Sequence, residues 1–228
     1  MDFQSSENDL GVVIDLNLGD NAFEFFCSNG RLKVSVLGSK IIRIQATRNA
    51  NYRIHESFAR VPYHEEAQST IEESNEYWII SSARFKVKIT KNPISIRLSS
   101  PQGDCIFDLP GQSGMEWIGD SFVCRMKMID ETYFYGLGEK THGLNKMGLR
   151  FEMWNTDNPD YDSTSDPLYQ SIPFFIVLQK GIAHGVFLDN TYRTFFDFGH
   201  KEENFYQFGA PNGPLDFYII LGPEITEV

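Results

Sequence analysis

At 228 residues the chain is long enough for one large domain whose core buries roughly 70 to 75% of the unfolded surface, so no disulfide or metal staple is required. Its 20 basic and 31 acidic residues leave a formal charge of -11, which repels phosphate backbones and anionic membrane surfaces and argues against a nucleic-acid partner. Three cysteines, Cys27, Cys105 and Cys124, have neither C-x-x-C nor zinc-ligand spacing; they read as buried hydrophobes and fit a cytoplasmic protein.

The opening Met1-Asp2-Phe3-Gln4 lacks a basic n-region and an apolar h-region, and no later segment approaches the ~18 uninterrupted apolar residues of a membrane span. Residues 1 to 20 are polar apart from Val12-Val13-Ile14, which predicts a weak edge strand or an extended lead-in. From Asn21 the pattern turns to short runs at Phe23 to Cys27, Leu32 to Leu37 and Ile41 to Ala46, where Ile42, Ile44 and Ala46 alternate with Arg43 and Gln45. Asn29-Gly30 and Gly38-Ser39 between them are hairpin residues, so a meander is expected.

Residues 48 to 74, with Asn49, Asn51, Pro62, Glu65-Glu66 and Glu72-Glu73, read as a long solvated excursion. Strands resume at Tyr77 to Ser81, Phe85 to Thr90, Ile94 to Leu98 and Cys105 to Leu109, separated by Lys91-Asn92-Pro93 and Pro101-Gln102-Gly103 turns. A Gly-rich loop from Pro110 to Gly119 leads to Phe122 to Met128. Beyond a central stretch from Tyr133 to Phe175 come Phe174 to Gln179, Ala183 to Leu188, Arg193 to Asp197, Phe205 to Phe208 and Leu215 to Leu221. No run of ten residues carries a 3.6-residue apolar period, so the expected fold is all-β, a large antiparallel β-sandwich.

The central stretch holds the turn residues and clustered carboxylates. Gly136-Leu137-Gly138-Glu139-Lys140-Thr141 is not a phosphate loop, because Glu139 separates glycine from lysine and Gly143, Asn145 and Gly148 oppose a following helix. The acidic cluster Asp157, Asp160, Asp162 and Asp166 misses the EF-hand template, since the sixth position from Asp160 is Ser165 and the twelfth is Ser171. His55, His64, His142, His184 and His200 show no i, i+4 pairing, so neither a metal nor a cofactor is expected. His142 reads as a turn residue bonded to backbone.

Phe134-Tyr135-Gly136-Leu137-Gly138-Glu139 resembles the N-terminal domain of glycoside hydrolase family 31, the α-glucosidase family. Further blocks follow in order: Trp154-Asn155-Thr156-Asp157, Pro167-Leu168-Tyr169-Gln170-Ser171-Ile172-Pro173-Phe174, Gly185-Val186-Phe187-Leu188-Asp189-Asn190, and Gly213-Pro214-Leu215-Asp216-Phe217-Tyr218 with Gly222-Pro223. The resemblance implies a galactose-mutarotase-like sandwich followed by a (β/α)8 barrel whose loops carry the two carboxylates of a retaining glycosidase. On that reading residues 1–228 are one N-terminal β-sandwich domain, truncated before the barrel and without a catalytic residue. Its partners are the barrel of the same polypeptide and an α-glucoside oligosaccharide; the oligomeric state is left open.

The resemblance also implies that the loop after Trp154 projects toward the substrate, which selects Asp157 as acceptor for sugar hydroxyls and Asn158 and Trp154 as secondary wall residues. A plainer role for Asp157, capping a turn before Asn158-Pro159, stays open. Gly136, Gly138 and Glu139 are expected to be structural, the carboxylate anchoring loop amides. The alternative is a free-standing carbohydrate-binding or aldose-mutarotase-like sandwich, for which Glu139 and His142 are the nearest local acid-base pairing.

Overall fold

The computed structural model describes residues 8–49, 52, 57–59 and 68–228. Met1-Asp2-Phe3-Gln4, His55, His64, and Asn51, Pro62, Glu65 and Glu66 of the excursion lie outside the described residues.

Alternating sequence becomes alternating burial. Val13–Gly19 (β1), Ala22–Cys27 (β2), Gly30–Val36 (β3) and Ile41–Thr47 (β4) form the expected meander, with Ile42, Ile44 and Ala46 buried and Arg43 and Gln45 on the other face. Thr70–Glu73 (β5), Tyr77–Ser81 (β6), Lys86–Lys91 (β7), Ile94–Ser99 (β8) and Cys105–Leu109 (β9) form a second, in which Val87 and Ile89 point inward and Lys86 and Lys88 outward. The remaining strands are Met115–Ile118 (β10), Ser121–Lys127 (β11), Thr132–Gly136 (β12), Arg150–Met153 (β13), Phe174–Gln179 (β14), Ile182–Leu188 (β15), Thr194–Phe198 (β16), Phe205–Ala210 (β17) and Leu215–Leu221 (β18).

Besides β12 and β13, which fall in the central stretch where no strand was expected, two strands lie where loops were expected. The edge strand β5 falls within the polar excursion because its order comes from pairing with β6, while of its four side chains only Ile71 packs toward the core. β10 falls within the Gly-rich loop, where Met115 and Trp117 sit opposite Cys124 and Phe122 of β11 and are buried. The flanking Gly and Pro residues hide a period-two signal only four residues long.

Every strand pair is antiparallel. One sheet has eight strands in the order β1-β2-β3-β4-β18-β15-β14-β12, and two sheets of five run β10-β11-β17-β16-β13 and β5-β6-β7-β8-β9. The sheet of eight faces both smaller sheets across a single aromatic-rich core. Phe25 meets Trp78 at 5.3 Å between ring centroids, Phe107 meets Phe217 at 6.0 Å, Phe208 meets Phe217 at 5.3 Å, and Phe134 stacks on Phe198 at 4.5 Å. The expected all-β antiparallel sandwich is the observed architecture. Among the described residues no helix is long and apolar enough to cross a membrane.

One polar residue sits inside this core at a cost. His184 of β15 pairs in register with Val177 and Leu221, is fully buried, and neither ring nitrogen meets a partner among the described residues. Burial pushes its pKa down to about 3. The unfolded chain takes up a proton near ~6.5, so between that value and about 3 the unfolded state binds more protons, and stability falls as pH falls through the window. His184→Leu should therefore raise stability near neutral pH by about 1–3 kcal/mol. It should also remove about 2 kcal/mol of the loss seen on going from about pH 7.5 to 5. Urea melts of both proteins across that range are the check, and parallel pH profiles would rule out a buried neutral imidazole.

Candidate functional site

Between β12 and β14 the chain leaves the eight-stranded sheet as a long excursion that includes β13, the edge strand beside β16. Its exit is set by glycine: Gly136 has φ +111°, and a Cβ there would lie 2.9 Å from the Phe174 carbonyl oxygen, on the strand with which β12 pairs. Gly138, at φ +66°, faces Ile172, whose Cδ1 would be 2.6 Å from an added Cβ. The two glycines therefore play the expected backbone role.

The anchor of the excursion is Lys140, not Glu139. Glu139 is exposed and makes no hydrogen bond among the described residues, because the turn points it to solvent and brings the next side chain inward. Lys140, whose side chain is 0% exposed, donates Nζ to Asp166 Oδ1 at 2.6 Å and to the Glu152 carbonyl, and Asp166 Oδ2 accepts the Glu152 N–H at 2.6 Å. Thr141 Oγ1 donates to the Ser165 carbonyl at 2.9 Å. Lys146, also buried, donates Nζ to the Thr141 carbonyl at 3.0 Å and lies over the Phe151 ring; burial, and then the Lys140 charge, lower its pKa. His142 is exposed, with its ring edge-on to Phe151 at 5.9 Å, and shares no hydrogen bond with Glu139.

From this root the loop runs out through Trp154. Asn155 Oδ1 accepts from Ser171 Oγ at 2.6 Å, the Thr156 N–H donates to the Leu168 carbonyl at 3.2 Å, and Tyr169 OH donates to the Asn158 carbonyl. Asp162 Oδ1 accepts from the Thr164 N–H, Thr164 Oγ1 and Ser165 Oγ, and these bonds hold its pKa below the usual carboxylate value although it is exposed. The four clustered carboxylates thus separate in role: Asp162 orders a turn, Asp166 binds Lys140, and Asp157 and Asp160 face solvent. Among the described residues nothing hydrogen-bonds the Asp157 side chain, so it does not cap the Asn158-Pro159 turn.

Trp154, 50% exposed, helps wall a cavity of about 530 Å3 together with Asn155, Phe58, Asp189, Asn190 and Tyr192. Asp157 and Asn158 stand on the same loop but outside that wall. Asp189 is buried and its Oδ1 accepts from Ser57 Oγ at 2.6 Å. Asn190 Nδ2 reaches the Asn212 and Pro214 carbonyls at 3.1 and 2.9 Å while its Oδ1 accepts the Tyr192 N–H at 2.8 Å. Of these wall residues, sequence alone pointed to Trp154 as a site residue. Asp189 and Asn190 close an apolar strand and stand out as a buried polar pair only once the fold is known, and Phe58 is one of three aromatics scattered through a polar stretch, with Tyr52 and Tyr63.

Over residues 31–197 the chain matches the family described as the glycosyl hydrolase 31 N-terminal galactose mutarotase-like domain. The chain belongs to that family. Alpha-glucosidase 2 of Bacillus thermoamyloliquefaciens is 35% identical over 222 residues, which cover 96% of this chain and 28% of that protein. A GH31 dextranase of Flavobacterium johnsoniae, solved with glucose and with isomaltotriose, is 28% identical; the glucose complex gives a TM-score of 0.90 over 96% of this chain and 27% of its own. This domain therefore spans about a quarter of the length of those relatives. Within the GH31 match lie four of the five sequence blocks, and it reaches back to Arg31, where strand pattern alone spoke.

In this GH31 domain the buried Lys140–Asp166 pair should decide whether the loop holds its place. Asp166→Asn leaves the ammonium of Lys140 buried without its counter-charge and should cost about 3–5 kcal/mol, with faster proteolysis between Trp154 and Pro173. Glu139→Gln, at an exposed position, should change stability by less than about 0.5 kcal/mol. Denaturant melts of both variants check the contrast; a larger loss for Glu139→Gln would return the anchor to that carboxylate.

Proposed function

We propose that this domain is the non-catalytic N-terminal part of a retaining α-glucosidase. It supports a (β/α)8 barrel belonging to the same polypeptide, and its loop after Trp154 forms part of the wall against which an α-glucoside oligosaccharide sits. The observation that carries this reading is Asp157: an exposed carboxylate, unbonded within the described residues, on a loop whose root is fixed by a buried ion pair. A held backbone with an uncommitted acceptor suits recognition, since little ordering remains to oppose binding. A carboxylate accepts several sugar hydroxyls, each bond being worth about 1.5–3 kcal/mol where water is excluded.

Trp154, three residues earlier on the same loop, offers an aromatic face, and the half-buried Asn158 a second polar group. The activity named for the Bacillus relative and the sugars held by the Flavobacterium dextranase support glucose-containing oligosaccharides as the substrate class. The acid/base and nucleophile are assigned to the barrel, where such carboxylates sit on the loops at the C-terminal ends of the strands. Three free thiols, at Cys27, Cys105 and Cys124, support a reducing, cytoplasmic setting.

Two measurements test the reading. In the polypeptide that includes the barrel, Asp157→Ala should lower kcat/KM for a disaccharide about ten-fold or more, and lower it less for an aryl α-glucoside whose leaving group offers no hydroxyls. Equal losses on both substrates would reduce Asp157 to a loop residue. The 228-residue chain alone should fold and give no turnover of an aryl α-glucoside; activity abolished by a substitution within it would overturn the assignment of catalysis to the barrel.

A further inference from the structure

A second cavity, of about 360 Å3, lies beside the turn that Asn190 clamps, with Gly213 and Pro214 forming part of its wall. Its wall also includes two aromatic rings, Tyr52 and Trp117, and the planar polar side chains of Asn29, Arg48, Asn49 and Asp120. These come from distant parts of the chain: the β2–β3 turn, the segment after β4, and β10 with the turn that follows it. The fold, rather than any local motif, assembles them.

The chemistry of the wall narrows the ligand. Arg48 is exposed and has no partner among the described residues, so its five N–H donors are available to an occupant. Asp120 brings a carboxylate to the same cavity, which offsets the guanidinium charge and disfavours a phosphate or sulfate group. The Tyr52 hydroxyl is buried in the protein away from solvent, leaving the ring as the part that faces the cavity. Flat rings beside paired donors and acceptors of both signs match a neutral ring rich in hydroxyls. A volume near the lower end of the ~300–1,000 Å3 range of ligand pockets suits one or two such rings.

We propose that this cavity binds a hexopyranose unit of a neutral oligosaccharide, its ring against Tyr52 and Trp117 and its hydroxyls on Arg48, Asp120 and the two asparagines. The site belongs to the sandwich itself and does not depend on the role given to Asp157.

The test uses the chain labelled with 15N, in which the indole N–H signals of Trp78, Trp117 and Trp154 report separate parts of the molecule. Titration with isomaltotriose should shift the Trp117 indole saturably, with a Kd in the millimolar range. Arg48→Ala and Asp120→Ala should each weaken that Kd about five-fold or more, and Arg48→Ala should do so without lowering Tm, since Arg48 is exposed. Tyr52→Phe keeps the ring and should bind as the parent chain does, whereas Tyr52→Ala should lose saturable binding. Asp157→Ala should leave the Trp117 response unchanged, so this proposal and the reading of the Trp154 loop fail independently. A Trp117 signal that does not saturate with the sugar, that moves with inorganic phosphate instead, or that responds equally in the Arg48 and Asp120 variants would overturn it.

Discussion

The structure depends on the aromatic seam that joins the edge of the eight-stranded sheet to its five-stranded neighbour. Phe134 of β12 stacks on Phe198 of β16 at 4.5 Å and tilts against Tyr206 of β17 at 5.1 Å, while Phe175 of β14 meets Phe196 and Phe198 at 5.7 and 5.1 Å. All five side chains are buried. Truncating a ring of this kind typically costs about 3–5 kcal/mol, and here neighbouring losses would not simply add, because the rings share contacts. The seam matters beyond stability: β12 and β14 are the strands between which the long excursion leaves and returns, so fixing their faces fixes both ends of the loop.

What the seam does for the two ends, the Lys140–Asp166 pair does for the middle. The excursion has only one short strand of its own and few apolar residues pointing inward, so hydrophobic burial cannot order it. A desolvated ammonium must be surrounded by acceptors, and Asp166 and the Glu152 carbonyl supply them in one arrangement. Such a pair adds little net stability compared with packed apolar side chains. Its contribution is direction: any displacement of Asp166 leaves a buried charge unmet, so the loop that carries Trp154 and Asp157 returns to one position.

How much of this was legible in the sequence follows from where the information lies. Strands such as β4 and β7 alternate over six or seven residues against a core, and period two exposes them. β5 and β10 are four residues long and owe their conformation to a paired neighbour, which no local window contains. At the loop, Trp154 and Asp157 were reached by resemblance, and Gly136 and Gly138 by the conformational freedom a tight exit requires. Lys140 was passed over for Glu139 because both are charged residues in the same turn, and only side-chain direction separates an anchor from a solvent-facing group. Asp189 was hidden for a related reason: its Ser57 partner is 132 residues away.

The two cavities are not independent parts of the surface. Asn190 lines the first and holds the Asn212 and Pro214 carbonyls, while Gly213 and Pro214 line the second. Gly213 sits at φ +91°, and a Cβ there would lie 2.7 Å from Asn190 Nδ2, so side chain and turn are fitted to each other with no slack. Cutting the Asn190 side chain would therefore release a wall of both cavities at once, and a binding change so produced would not identify which one holds a sugar. Trp154 in the first cavity and Arg48 in the second are exposed, and among the described residues neither side chain hydrogen-bonds this shared wall. They are the positions at which the chemistry of each cavity can be altered while the turn between them stays in place.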